Sequence, residues 1–205
     1  MSLKRAWRRW RVSMAPDGDE VLRMHRELEG QLAMEEVQLL YRGAQGKQTI
    51  VEIGSFRGKS CVVMALGSQE VGGHVTAIDP HLSLDPVGDT DYNAEDLEVF
   101  NTTIEKWGVA DRVTHIVERS HEARANWKDT PIDLLWIDGD HSYEGVKLDL
   151  DDWSDLVSPG GLIACHDYTH RESVRQAWSE TIERGGNDQW EVHKPVRSII
   201  SATRK

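Results

Sequence analysis

The chain has 205 residues, 39% of them hydrophobic, and a formal net charge of −11. That length and apolar content suit one α/β domain with a sizeable core, and no apolar run approaches the roughly 20 residues needed to span a bilayer. The first twelve residues hold Lys4, Arg5, Arg8, Arg9 and Arg11 and no acid, so the remaining body carries −16, a charge that repels nucleic-acid phosphates.

Cys61 and Cys165 are the only cysteines. Both lie in apolar runs and read as reduced, buried thiols of a cytoplasmic protein. The basic N-terminus has no apolar core behind it, which argues against a secretion signal. Arg8-Arg9-Trp10-Arg11, with Trp7 beside it, could touch an anionic partner, but reads first as a solvated or subunit-packing segment. A homo-oligomer packed through Trp7, Trp10 and the leading helix stays open. Residues 1–45 are set apart as a basic segment with helices, and 46–205 as the main domain.

Residues 18–45 read as helical, with Val37, Leu40, Tyr41 and Ala44 in one apolar stripe and Gly43 and Gly46 as stops. Thr49–Ile53 is a β-rich run, Ser60–Leu66 starts a helix, and His74–Ile78 is the next strand. Ala94–Trp107 is a helix closed by Gly108. Arg112–Val117 and Ile132–Ile137 are strands. The helix after them turns Val146, Leu150, Trp153 and Val157 to the core and Asp149, Asp151, Asp152 and Asp155 to water. Ser158-Pro159-Gly160-Gly161 breaks it before a strand at Leu162–Cys165. Val174, Ala177, Trp178 and Ile182 mark a further helix, and Gln189–His193 and Val196–Ala202 two last strands. This alternation means parallel βαβ units in a doubly wound sheet, whose ligands bind at the carboxyl ends of the strands.

The first strand leads into Gly54-Ser55-Phe56-Arg57-Gly58. This is neither the dinucleotide G-x-G-x-x-G nor a P-loop; it is a tight turn, with or without a ligand against its backbone. Asp79 ends the second strand, 25 residues after Gly54. It is placed either to accept from ribose hydroxyls or to cap a helix before Pro80. Together the turn and the acid point to an adenosine-type ligand. Ser120, after the third strand, is an adenine contact or an N-cap.

The fourth strand runs into Asp138-Gly139-Asp140-His141, the fifth into His166-Asp167-Tyr168. Three carboxylates and two imidazoles would converge at one rim, where uncompensated charges repel and lose solvation. A cation relieves this: Asp138, His166 and Asp167 could offer one face of an octahedral site. Oxygen ligands suggest Mg²⁺, and the histidine admits Mn²⁺, Fe²⁺ or Zn²⁺. The plain alternative is a set of polar loop residues and caps.

IVEIGSFRGKS, HVTAIDP and DLLWIDGDHSYEGVKLDLDDWSDLVSPGGLIACHDY resemble the class I S-adenosylmethionine-dependent methyltransferases. The nearest branch groups macrocin O-methyltransferase-like and cephalosporin-hydroxylase-like proteins (methyltransferase family 24 type). The likeness runs over roughly residues 33–180. It implies an α/β, Rossmann-like, mostly parallel seven-stranded sheet with an antiparallel last strand, and an S-adenosylmethionine-binding domain over 46–205. It implies Glu52, Gly54, Ser55 and Gly58 at the methionine end of the cofactor, Asp79 on the ribose and Ser120 near the adenine. Asp138, His166 and Asp167 fall on the metal ligands of the metal-dependent relatives, and Asp138 also borders the cofactor. Catechol-type enzymes carry Asp-Asn where this chain has His166-Asp167. His141 stands at their lysine base, and Asp140 at the base of the antibiotic-tailoring relatives.

The implied reaction is O-methylation of a small-molecule hydroxyl, assisted by a divalent cation. The competing readings are a metal-dependent hydroxylase on the same fold, a catalytically inactive nucleotide-binding module, a nicotinamide dehydrogenase, against which Phe56 stands, and a nucleic-acid methyltransferase, against which the acidic body stands. The acceptor pocket is expected from residues 1–32, 81–95 and 168–173, with His81, Tyr92, Tyr168 and His170 as candidates.

Overall fold

The computed structural model describes residues 17–81, 94–185 and 188–205. The expectations placed on Trp7, Trp10, the basic segment and Tyr92 lie outside the described residues. In chain order the elements are α1 (Gly18–Glu27), α2 (Met34–Ala44), β1 (Thr49–Ile53), α3 (Lys59–Gly67), β2 (His74–Ile78), α4 (Ala94–Lys106) and β3 (Val113–Ile116). There follow α5 (Ser120–Asn126), β4 (Ile132–Ile137), α6 (Tyr143–Trp153), β5 (Val157–Cys165), α7 (Glu172–Trp178), β6 (Trp190–Val192) and β7 (Ile200–Arg204).

The seven strands form one sheet in the order β3-β2-β1-β4-β5-β7-β6. β1 pairs in parallel with both β2 and β4, and β7, last in the chain, runs antiparallel to β5 and β6. The strand order reverses between β1 and β4, the switch point at which such sheets open a crevice. The apolar runs TIVEI and IDLLWI form central strands because both their faces are covered. Ile50 packs with α1, α2, α3 and α4 on one face, among Val21, Val37 and Phe100. Its neighbour Val51 packs on the other, with Leu150, Trp153 and Trp178. Cys61 and Cys165 are buried, free thiols. Among the described residues no helix is long and apolar enough to cross a membrane.

Five expectations are corrected. The helix foreseen over 18–45 is two helices, because the chain turns extended at Leu28 (ψ 129°) and Gly30 (φ +140°) leaves the helical region. Val157 opens β5 instead of closing α6. The Pro159-Gly160-Gly161 stretch lies inside that strand, in a bulge where Ile132 faces Val157 but Leu134 faces Leu162. The last strand begins at Ile200, after a tight bridge between Val196 and Ile199. Asp149 is not on the wet side of α6: it is 4% exposed. It lies three residues after Val146 and four before Trp153, on the face that turns inward.

Candidate active site

The sheet ladder itself gathers the site. Beyond the strand ends, Asp79 N donates to Ile116 O (3.1 Å), Gly54 N to Ile78 O (2.9 Å), Asp138 N to Ile53 O (2.8 Å) and His166 N to Ile137 O (3.0 Å). Four residues of four separate loops therefore stand on adjacent rungs of one edge. A cavity of about 780 Å³ opens there, lined by Gly54, Ser55, Asp79, Ser120, Asp138 and His166 among others.

The turn after β1 is held from below. Asp79 Oδ2 accepts from Ser55 N and Phe56 N, both at 2.8 Å, and Oδ1 accepts from His81 N at 2.8 Å. A carboxylate has about four acceptor positions, so one is left for a ligand. Phe56 and His81 have positive φ, 44° and 47°, as does Asp167 at 56°. Such strain persists only where neighbours over-determine it. Gly58 (φ 86°) is the N-cap of α3. Ser55 Oγ is buried without a partner among the described residues, beside the cavity.

Glu52 and Gly58, foreseen as cofactor contacts, do not line the cavity. Glu52 is fully buried, accepts from Ser60 Oγ, and is raised to about 8 by burial and by the nearby Asp138 and Asp79. It ties β1 to the first turn of α3. Ser120 lines the cavity but is not the N-cap of α5; Arg119 is, its N–H donating to Glu122. The Ser120 hydroxyl donates to Asp149, whose pKa is raised to about 7 by burial and by the charges of Asp140 and Asp152.

At the other end, Asp138 Oδ1 lies 3.0 Å from His166 Nδ1 and 3.2 Å from His141 Nε2. Asp167 Oδ1 is 3.7 Å from His166 Nδ1, and its Oδ2 is 3.8 Å from His141 Nε2. Burial opposes charge on His166, but Asp138 and Glu36 outweigh it and lift the imidazole to about 10. Burial likewise opposes charge on His141, and Asp138 and Asp167 raise it nonetheless. The two histidines hold Asp138 below the usual carboxylate range against its own burial. Ligand atoms of Asp138, His141 and His166 all lie within 4.8 Å of one another. The structure thus brings His141, foreseen as a base, into the foreseen ligand set and puts Asp167 at its edge. Asp140 is exposed; its Oδ1 accepts from Ser142 N at 2.8 Å.

Three residues of this region were missed. Glu36 on α2 is 3% exposed. Burial opposes its charge, yet His166 and donors from Ser198 and Ala33 pull it down to about 2. Lys59 is buried, and its Nζ donates to Leu28 O (3.1 Å), Gly30 O (3.2 Å) and His25 O (3.5 Å), which ties the α1–α2 link to the glycine turn. Asp149 is the third. A charged residue on an otherwise apolar helix face is the signal that finds Glu36 and Asp149. Of the acceptor-pocket candidates, His81 is buried against His115 (Nε2 to Nε2, 3.0 Å) and Phe100. His81, Tyr168 and His170 do not line the cavity, whereas Arg171 does.

Residues 51–168, more than half of the chain, match the family model described as a methyltransferase domain. The chain belongs to that family. Its fold is shared by the O-methyltransferase NovP (TM-score 0.70, 18% identity, 91% of this chain and 88% of that one). It is also shared by the O-methyltransferase TomG of Streptomyces achromogenes, solved with SAM (TM-score 0.67, 15% identity, all of both chains). An O-methyltransferase of Bacillus cereus, solved with SAH, aligns at TM-score 0.65 and 17% identity over 95% of this chain and 96% of that one. A curated relative, the uncharacterized protein y4gI of Sinorhizobium fredii, is 28% identical over 137 residues, which is 64% of this chain. The aligned part spans 14% of that relative's length.

Proposed function

We propose that this protein transfers a methyl group from S-adenosylmethionine to the hydroxyl of a small molecule, with a divalent cation held at the Asp138 cluster. One observation carries the reading: a single cavity joins the turn clasped by Asp79 to the cluster of Asp138, His141 and His166. The residues fit both groups. Ser55 Oγ is an unpartnered hydroxyl beside the turn, and Asp79 keeps an acceptor position for a ribose hydroxyl. Asp138, Asp167 and His166 are a mixed oxygen and nitrogen donor set suited to Mn²⁺, Fe²⁺ or Zn²⁺, with the His141 imidazole beside them. This set is less suited to Mg²⁺, which prefers oxygen ligands.

When bound, S-adenosylmethionine supplies an already activated methyl group, and a cation would lower the pKa of an acceptor hydroxyl. The chain's own work is alignment and proton removal. Gly54, Ser55 and Asp79 fix the donor end; Asp138, His166 and Asp167 fix the acceptor end. Alignment of this kind supplies up to about 7–11 kcal/mol in favourable cases. His141 Nε2 faces the cluster; with a cation offsetting the Asp138 and Asp167 charges that favour its protonated form, it would be the group placed to take the acceptor's proton. Asp140, turned into its own loop, is the poorer base. Free, buried Cys61 and Cys165 support a cytoplasmic setting.

The test is calorimetric titration of S-adenosylmethionine, followed by a screen of hydroxylated acceptors for S-adenosylhomocysteine release. Asp138→Ala and His141→Ala should bind the cofactor and lose turnover. Absence of cofactor binding by the wild type overturns the reading. A second reading is favoured by the same cluster, since two histidines and one carboxylate form the facial set of non-haem iron oxygenases. Oxygen consumption with Fe²⁺ and no methyl transfer would establish it instead.

A further inference from the structure

Glu36 is a buried carboxylate facing the rear of the site, and nothing in the proposed reaction has used it. Its Oε1 accepts from Ser198 N (2.9 Å) and Ser198 Oγ (2.6 Å), and its Oε2 from Ala33 N (2.7 Å). These three contacts are donors to Glu36, so the group is held as an acceptor and cannot swing. Its Oε2 lies 3.8 Å from His166 Nε2, a buried nitrogen with no hydrogen bond among the described residues. On the opposite side of the same ring, Nδ1 lies 3.0 Å from Asp138. Trp136 packs beside the ring, centroids 5.7 Å apart. Turning the imidazole over would set ring carbons against both carboxylates.

We propose that Glu36 is a positioning residue that fixes which nitrogen His166 offers to the site, holding Nε2 at its back and leaving Nδ1 as the ligand for a cation at Asp138. This rests on the cation reading above. A carboxylate behind a ligating histidine sets ring orientation and tautomer. A cation at Asp138 would take the Nδ1 lone pair and release the Nδ1 proton to solvent, while Nε2, on the Glu36 side, would keep its own proton. Because Ser198 and Ala33 set the carboxylate, the C-terminal hairpin and the start of α2 act on the site through one side chain.

The experiment uses Mn²⁺ alone, titrated calorimetrically into the full chain without S-adenosylmethionine or acceptor. Glu36→Gln should weaken Mn²⁺ by roughly 10–100-fold, Ser198→Ala should weaken it less, and Glu36→Asp should recover part of the loss. In parallel, long-range ¹H–¹⁵N spectra of the Zn²⁺-loaded, histidine-labelled protein should show His166 protonated on Nε2 and bare on Nδ1. If Glu36→Gln does not fold, Ser198→Ala and the wild-type spectrum decide. Wild-type affinity in the folded variants, a His166 proton retained on Nδ1, or no Mn²⁺ binding by the wild type each overturns the proposal. Titration of S-adenosylmethionine into metal-free protein reports separately whether the methyltransferase reading stands.

Discussion

A side chain on Gly54 would place its first carbon 2.3 Å from the carbonyl oxygen of Asp138. The turn after β1 and the Asp138 loop are therefore in backbone contact, not only neighbours across a cavity. Gly54 also has φ +84°. Gly54→Ala should cost about 1–3 kcal/mol for the backbone conformation and a similar amount for the overlap. Chemical denaturation should show a lower midpoint, and cofactor titration a weakened or lost signal. A variant as stable and as tightly binding as the wild type would mean the two loops are not packed as described.

Asp79 spends three acceptor positions on Ser55, Phe56 and His81. Asn has one acceptor oxygen, and its amide would face an N–H. Asp79→Asn should therefore loosen the turn and drop S-adenosylmethionine affinity tenfold or more, as expected for losing a hydrogen bond to a charged group worth roughly 1.5–3 kcal/mol. Equal affinities by calorimetry would remove Asp79 from the cofactor site.

Asp149 makes a pH prediction with a definite sign. Its pKa is raised from 3.8 to about 7, first by burial. Between those values the folded chain holds a proton that the unfolded chain has released, so stability falls as pH rises through the window. Above about pH 7 the penalty is complete. Asp149→Asn, which keeps an acceptor for Ser120, removes it. The melting temperature of this variant relative to wild type should be higher at pH 8 than at pH 5; a pH-independent difference would refute the assignment.

Lys59 holds carbonyls of the α1–α2 link. Lys59→Met keeps most of the apolar stem and leaves those carbonyls unpaired, at about 1–3 kcal/mol for a buried polar group without its partner. Hydrogen exchange should accelerate across residues 28–33 before it does in β1. Unchanged exchange there would show that the ammonium does not order the link.

Much of this arrangement is legible in the chain. Residues 49–53, 74–78 and 132–137 form strands with the bounds their apolar runs announce. The residues after each strand end up together because parallel pairing puts all those ends on one edge. Glu36, Lys59 and Asp149 are harder to read, since each is a charged group buried by partners far along the chain. Glu36 needs Ser198, and Asp149 needs Ser120. The role of His141 is similarly blurred by spacing alone, because its sequence position says "base" while its distance to Asp138 says "ligand".

The bond from Ser198 to Glu36 joins residues 162 apart in sequence. During synthesis, α2 leaves the ribosome early, while its buried acid must wait for the closing hairpin. Until β7 inserts beside β5, Glu36 has no hydroxyl from Ser198 to accept and His166 has no settled neighbour behind it. Such distant closure is slow relative to local helix formation. Assembly of the cavity is therefore tied to synthesis through Ser198, and a nascent chain stopped before that residue carries the Gly54 turn without a settled Asp138 cluster.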